Sequence, residues 1–259
     1  MKLNHRIGMI DWGIGGLGVY KELKKEVKNL SCIYLSDSGF TPYGQVNREK
    51  LIRRLHRLTK FFREQNIFTI VIACNAASTI LKQIKKMNPD MNFFGMLQAG
   101  EVAIFKSKAN SVLVLAGRRT IESRYFQKRF LRSKIKLQTL VAQPLSGLIE
   151  KGRQNTKEFS ELIKGLTRQT SGEPEAILLA CTHYPAALKI FKKHFHYAQI
   201  LDPSVQLVQQ IKKKILLSRG NSVSSRTQYF TTGSAALSKS SALKAFRIKI
   251  KTFKKVDIK

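Results

Sequence analysis

Two short apolar runs constrain this chain more than any other feature: Ile70-Val71-Ile72-Ala73 and Ile177-Leu178-Leu179-Ala180. Neither alternates apolar with polar residues, as a strand with one wet face would. Continuous apolar strands imply sheets covered on both sides. Each run leads into a cysteine and then a hydrogen-bonding side chain, Cys74-Asn75 and Cys181-Thr182. The two cysteines stand about 100 residues apart, the length of one small domain. The echo predicts a duplicated domain, each copy delivering one cysteine. In open parallel sheets the active crevice lies beyond the carboxyl ends of the strands, where both cysteines fall.

The rest of the chain repeats the same alternation. Strands are expected at Ile7–Ile10, Cys32–Leu35, Thr69–Cys74, Asn92–Met96, Ser111–Leu115, Ile135–Leu140 and Ala176–Ala180. Helical patterns occupy Val19–Val27, Leu51–Gln65, Ala77–Lys86, Ile121–Phe130, Phe159–Thr170 and Pro185–Phe195. Strand–helix alternation predicts an α/β fold with parallel order and right-handed crossovers. The 259 residues suffice for one large domain or two small ones, each with its own core.

Forty-seven Lys and Arg against 16 Asp and Glu give a net charge of +31, which invites a nucleic-acid reading. The bases are spread over Lys21–Lys28, Lys82–Lys86, Arg118–Arg132, Lys189–Lys193, Lys212–Lys214 and Lys244–Lys255, without a zinc-finger or RNP signature. Solvated helix faces account for them, and only weak, nonspecific, salt-sensitive contact with nucleic acid follows from the field alone. No apolar run reaches the ~20 residues that span a bilayer, so no membrane partner is expected. Met1–Arg6 leads into the first strand without a signal-peptide pattern, which predicts the cytoplasm. Three cysteines fit a reducing compartment and argue against a disulfide framework.

A cysteine at a strand end is ordinarily core. Two in matching contexts point to chemistry, with Cys32, inside an apolar strand, as the contrasting core residue. Inverting an α-carbon needs one base on each face of the substrate, one protonated and one not. A thiol, with a pKa of about 8.5, can hold either state near neutrality if its surroundings shift it modestly. The α-proton is very weakly acidic, so donors must stabilise a carbanion-like transition state. Asp11-Trp12-Gly13-Ile14-Gly15-Gly16 offers close backbone approach and a helix N-terminus that favours an anion. Its glycines lack the G-x-G-x-x-G spacing of a dinucleotide site. Thr41-Pro42-Tyr43-Gly44 is a turn whose tyrosine is either pocket wall or surface, and His183 beside Cys181 suits proton handling. Cys181-x-His183 is not a structural zinc spacing, and no metal is expected. A cysteine hydrolase with His183 as base would leave the second cysteine unexplained.

Taken in order, the motifs resemble the glutamate racemases of the aspartate/glutamate racemase superfamily. Asp11 through Leu17 resembles the opening D-S-G-x-G-G segment, and Tyr34-Leu35-Ser36-Asp37 with Thr41-Pro42-Tyr43-Gly44 the second motif. Ala73-Cys74-Asn75-Ala76-Ala77-Ser78 resembles A-C-N-T-A-S, Thr120 to Ser123 the G-T-x-x-S segment, and Gln143-Pro144-Leu145 through Glu150 the P-L…E segment. Cys181-Thr182-His183-Tyr184-Pro185 is similar to C-T-H-Y-P in every position, and Phe230-Thr231-Thr232-Gly233 resembles the closing T-T-G. The resemblance implies two pseudosymmetric α/β domains, each a mostly parallel sheet flanked by helices, with glutamate in the crevice between them and no cofactor. It implies a first domain of residues 1–97 plus about 207–259 and a second of 98–206. It also implies Cys74 and Cys181 as the two bases, with Asp11 assisting the first, His183 the second and Glu150 as a further acid. Asp11, Trp12, Pro42, Tyr43, Gly44, Asn75, Ala76, Thr120, Thr182 and His183 would line the substrate site. The implied role is supply of D-glutamate for peptidoglycan, with a homodimer as a candidate assembly.

Several positions depart from the family pattern. Trp12 replaces a small serine, Ala76 a threonine, Gln98-Ala99-Gly100 an E-P-G segment, and Arg119 a glycine. Both bases are kept while substrate-side donors are lost. A lost hydrogen bond costs roughly 0.5–1.5 kcal/mol, more beside an unpaired charge. Three readings therefore stand side by side: glutamate racemisation, racemisation of another acidic amino acid, and a degenerate racemase fold acting as a polyanion-binding or regulatory protein.

Overall fold

The computed structural model describes residues 6–27, 29–217 and 226–258, with the side chains of 215–217 left aside. Residues 1–5, of the Met1–Arg6 stretch, and Lys28 of the first basic run lie outside the described residues.

The chain folds as β1 (Arg6–Asp11), α1 (Gly16–Glu26), β2 (Ser31–Ser36), α2 (Arg48–Glu64), β3 (Thr69–Ile72), α3 (Asn75–Ser78), α4 (Leu81–Met87), β4 (Asn92–Gly95) and α5 (Met96–Ser107). It continues through β5 (Ser111–Ala116), α6 (Arg118–Glu122), α7 (Tyr125–Phe130), β6 (Lys136–Val141), α8 (Gln143–Glu150), α9 (Lys157–Gln169) and β7 (Ala176–Ala180). After a 3-10 turn, Tyr184–Ala187, come α10 (Leu188–His194), β8 (Gln199–Leu201), α11 (Pro203–Leu217), β9 (Thr227–Thr231), α12 (Ala235–Phe246) and β10 (Lys254–Lys255).

Two sheets result, ordered β10-β9-β2-β1-β3-β4 and β6-β5-β7-β8, and every strand pairing is parallel. The run β2-β1-β3-β4 has the same order as β6-β5-β7-β8, so β3, before Cys74, and β7, before Cys181, occupy the same place in their sheets. The expected α/β architecture of parallel, helix-flanked sheets is therefore present. The buried strands β3 and β7 carry Ile70, Val71 and Ile72, and Ile177, Leu178 and Leu179, with no exposed surface. No helix among the described residues is long and apolar enough to cross a membrane.

Several helices divide where the periodicity reads as continuous. The expected helix Ala77–Lys86 breaks into α3 and α4, because the Ser78 and Thr79 hydroxyls bond back to the Cys74 and Ala76 carbonyls. The expected helix Ile121–Phe130 breaks at Arg124, which adopts a left-handed conformation (φ 54°). Pro185 lies in the 3-10 turn rather than in α10. Met96 opens a helix instead of closing a strand, and α5, α8, α11, α12, β8, β9 and β10 are additions to the expected elements. β3 also stops at Ile72, so Cys74 stands two residues past the strand, at the N-cap of α3.

Candidate active site

One cleft is lined from both halves: by Asp11, Trp12, Pro42, Tyr43, Gly44, Cys74, Asn75 and Ala76 on the six-stranded side, and by Gly117, Thr120, Gln143, Ser146, Ala180, Cys181, Thr182 and His183 on the other. Of the residues expected at the site, only Glu150 stands behind the wall rather than in it.

Each cysteine has its own proton-handling neighbour. The Cys74 thiol stands beside the Asp11 carboxylate, and burial together with that negative charge holds the thiol well above its usual pKa. Burial also pushes Asp11 up, to about 6, against the opposing pull of His183. On the other side, the Cys181 Sγ lies 3.9 Å from His183 Nδ1, and His183 Nε2 lies 2.7 Å from Glu150 Oε2. Burial disfavours a charged imidazole, yet Cys181 and Glu150 outweigh it and raise its pKa well above the ordinary value. His183 is thus held protonated in a chain from thiol through imidazole to carboxylate. Cys32, by contrast, is buried in β2, and burial alone pushes its thiol up.

The glycine loop after β1 serves these groups rather than an outside anion. The Ile14 N–H donates to Glu150 Oε2 at 3.0 Å, and the Gly16 and Trp12 N–H groups donate to Asp11. A Cβ on Gly13 would stand 2.3 Å from Glu150 Oε2, and one on Gly15 would stand 2.7 Å from His183 Nδ1. The expected anion at this helix N-terminus is therefore the protein's own pair of carboxylates. Thr182 is committed in the same way, its hydroxyl donating to Asp11 Oδ2 at 3.0 Å. Tyr43 is a buried wall, with its hydroxyl donating to Asp37 at 2.7 Å. Asn75 differs: its side chain is buried, and neither Nδ2 nor Oδ1 has a partner. Among the described residues that amide is a vacant donor and acceptor in the wall of the cleft.

Against this geometry, the Asp/Glu/Hydantoin racemase family matches residues 7–211. The chain belongs to that family. It is an isomerase of the amino-acid racemase type, and curated relatives agree. It is 31% identical over 241 residues to the glutamate racemase of Lactobacillus acidophilus, covering 90% of each chain. It is 30% identical over 236 residues to glutamate racemase 2 of Caldanaerobacter subterraneus, covering 88% of each. The glutamate racemase of Francisella tularensis, solved with D-glutamate, superposes with a TM-score of 0.88 at 22% identity over 100% of this chain and 99% of that one. A Bacillus anthracis glutamate racemase isoform superposes at 0.89, also with 22% identity and the same coverage. These two superpositions establish the fold.

The departures from the racemase pattern are resolved in the walls of the cleft. The Trp12 indole N–H donates to the Phe40 carbonyl at 2.8 Å, and its ring centre stands 6.4 Å from that of His183. The indole is fixed by this bond and cannot donate to a ligand with the same N–H. Arg119 reaches across the cleft mouth: its guanidinium donates to the Tyr43 carbonyl at 3.1 Å and to the Val46 carbonyl. Gln143 is a wall residue the motifs did not single out. Its Oε1 accepts from the Arg118 N–H, its Nε2 donates to Ser146, and its Oε1 would lie 2.4 Å from a Cβ on Gly44 and 2.6 Å from one on Gly117. The two glycines, in separate halves, are the signal that this contact needed. The inner part of the cleft, between the two cysteines, holds about 50 Å³, and it opens past Trp12, Pro42, Gly44, Gln143 and Ser146 into an outer cavity of about 600 Å³.

Proposed function

We propose that this racemase interconverts L- and D-glutamate without a cofactor, through Cys74 and Cys181 as two bases, and supplies D-glutamate for peptidoglycan synthesis in the cytoplasm. The observation that carries the reading is the pairing of each thiol, on separate halves of one cleft, with its own proton acceptor or donor. Asp11 serves Cys74, and His183, backed by Glu150, serves Cys181.

In one direction Cys74, having passed its proton to Asp11, takes the α-proton as a thiolate. Cys181 then returns a proton to the opposite face and is resupplied from His183. In the other direction the roles reverse, as microscopic reversibility requires. The free Asn75 amide offers Nδ2 to a substrate carboxylate and Oδ1 to its ammonium. Glutamate is the substrate named for the curated relatives and the ligand named for the Francisella tularensis structure. Purified protein incubated with L-glutamate in deuterium oxide should yield D-glutamate labelled at Cα. Absence of Cα label from both enantiomers at high enzyme concentration overturns the proposal. Cys74→Ser and Cys181→Ser should each abolish turnover, and a variant with full activity removes that thiol from the mechanism.

A specific observation favours a second reading, another acidic amino acid as the substrate. The locked Trp12 indole and the methyl of Ala76 both line the inner part of the cleft, about 50 Å³. A panel of acidic amino acids in the same exchange assay distinguishes the two readings, by whichever substrate has the highest kcat/KM.

A further inference from the structure

The charge of the chain is unevenly matched on its surface. Of the 47 Lys and Arg, few are answered by a neighbouring acid among the described residues; Lys25–Glu22, Lys212–Glu26, Lys164–Glu161, Arg153–Glu158, Arg129–Glu101 and Arg118–Glu122 are such pairs. What sets apart the face of the six-stranded sheet covered by α2 and α4 is the alignment of its unpaired cations. There α2 buries Leu51, Leu55, Leu58 and Phe62, and its outward row is Lys50, Arg53, Arg57 and Lys60, all exposed. Residues three and four apart on a helix are neighbours at about 5–6 Å, so these four cations form one line about 15 Å long. α4 packs beside α2 and exposes Lys82, Lys85 and Lys86. None of these seven side chains makes an ion pair among the described residues.

The surface continues past α2 to the sheet edge. Phe61 stacks edge-on against Phe230 at 5.4 Å, and Lys254 Nζ lies 6.0 Å from that ring. The acids on this face are few. Arg63 holds Asp90, and Glu49, Glu64 and Asp257 stand at its borders. Lysine on β10 alone is explained by protection of an edge strand. That reason does not extend to a four-cation row on a helix already buried along its other side. The face also lacks the apolar stripe that seats a helix in a lipid surface. Met87, at the end of α4, is its large exposed hydrophobic side chain.

The geometry points to the α2–α4 face as a docking surface for the phosphodiester backbone of a nucleic acid, bound without sequence preference and separate from the cleft. The row supplies point charges at regular intervals along one line, which suits repeated phosphates and reads no base. The surface is independent of the racemase site, so either can fail while the other stands.

The test uses the full chain and a fluorescein-labelled oligonucleotide of about 20 nucleotides, single-stranded and duplex, followed by anisotropy from low to physiological salt. The quadruple variant Lys50→Glu, Arg53→Glu, Arg57→Glu and Lys60→Glu is compared with a control of equal charge change, Lys189→Glu, Lys192→Glu, Lys193→Glu and Lys239→Glu, whose positions are exposed on α10 and α12. The α2 variant should bind at least tenfold more weakly than the control. On duplex, its plot of log K against log salt should be shallower by roughly 3–4 units, since each phosphate contact contributes about 0.9. Racemase activity and thermal unfolding verify that both variants are folded, and the same four positions changed to Gln replace a variant that is not. Equal loss in the two variants means that only the overall field acts and overturns the proposal, as does undiminished binding of the α2 variant. Capture by anionic vesicles that needs the α2 row, with no oligonucleotide binding, overturns it in favour of a membrane surface.

Discussion

In the proposed mechanism, the ionisation of Asp11 decides what Cys74 can do. Burial sets its carboxyl near 6, and only the ionised form can accept the thiol proton. We expect kcat/KM to fall below about pH 6 with a one-proton slope, and Asp11→Asn to remove that limb along with most of the activity; a pH–rate profile measures both. The same group has a stability signature of opposite sense. Its native carboxyl holds a proton that the unfolded one, near 3.9, releases. Its contribution to stability is therefore greatest below pH 4 and is lost as pH rises to about 6. On the other side of the cleft, Glu150→Gln removes the charge that holds His183 protonated at 2.7 Å. We expect kcat to drop on the order of 10²-fold, with KM changed far less. At the mouth of specificity, Trp12→Ser combined with Ala76→Thr should raise glutamate kcat/KM if the indole and the lost hydroxyl restrict that substrate. An unchanged value would show that neither side chain meets it.

At the scale of elements, the turns after β1 and β2 hold the site through contacts distant in sequence. Asp37, just past β2, accepts from Tyr43, from Nε and Nη2 of Arg54 on α2 and from Thr232 beyond β9. That cluster fixes the Tyr43–Gly44 wall and explains the closing T-T-G segment as scaffold. Arg54→Met leaves a buried carboxylate without its cation and should cost about 3–5 kcal/mol, read by denaturant unfolding. The strands and the two cysteine positions were legible because continuous apolar runs have few alternatives. The helix breaks at Ser78–Thr79 and Arg124 were not, because they arise from local hydroxyl bonds and a left-handed residue that leave the apolar periodicity intact. The helices α5, α8, α11 and α12 and the strands β8, β9 and β10 were a separate omission, elements that the periodicity did not mark.

At the scale of the whole molecule, Arg119, a departure from the expected motif, ties the two halves together. Arg119, on α6 of the four-stranded half, donates to carbonyls of Tyr43 and Val46 in the other. Bonds to a charged donor are worth about 1.5–3 kcal/mol each, so Arg119→Gly should loosen the two halves about the cleft and raise KM by roughly tenfold. Steady-state kinetics checks this, and an unchanged KM means that the strap does not govern the cleft. The sequence by itself determined the α/β class, the parallel order and the paired cysteines beyond matching strands, because apolar periodicity and motif spacing are local properties of the chain. Only the tertiary structure decided which donors remain for a ligand. The glycine loop and Thr182 are spent on Asp11 and Glu150, and Asn75 is left unpaired. It also decided that Trp12 is pinned to Phe40 and that Arg119 spans the mouth. Those outcomes depend on which groups meet across the cleft, and hydrogen bonds between distant residues leave no period in a sequence.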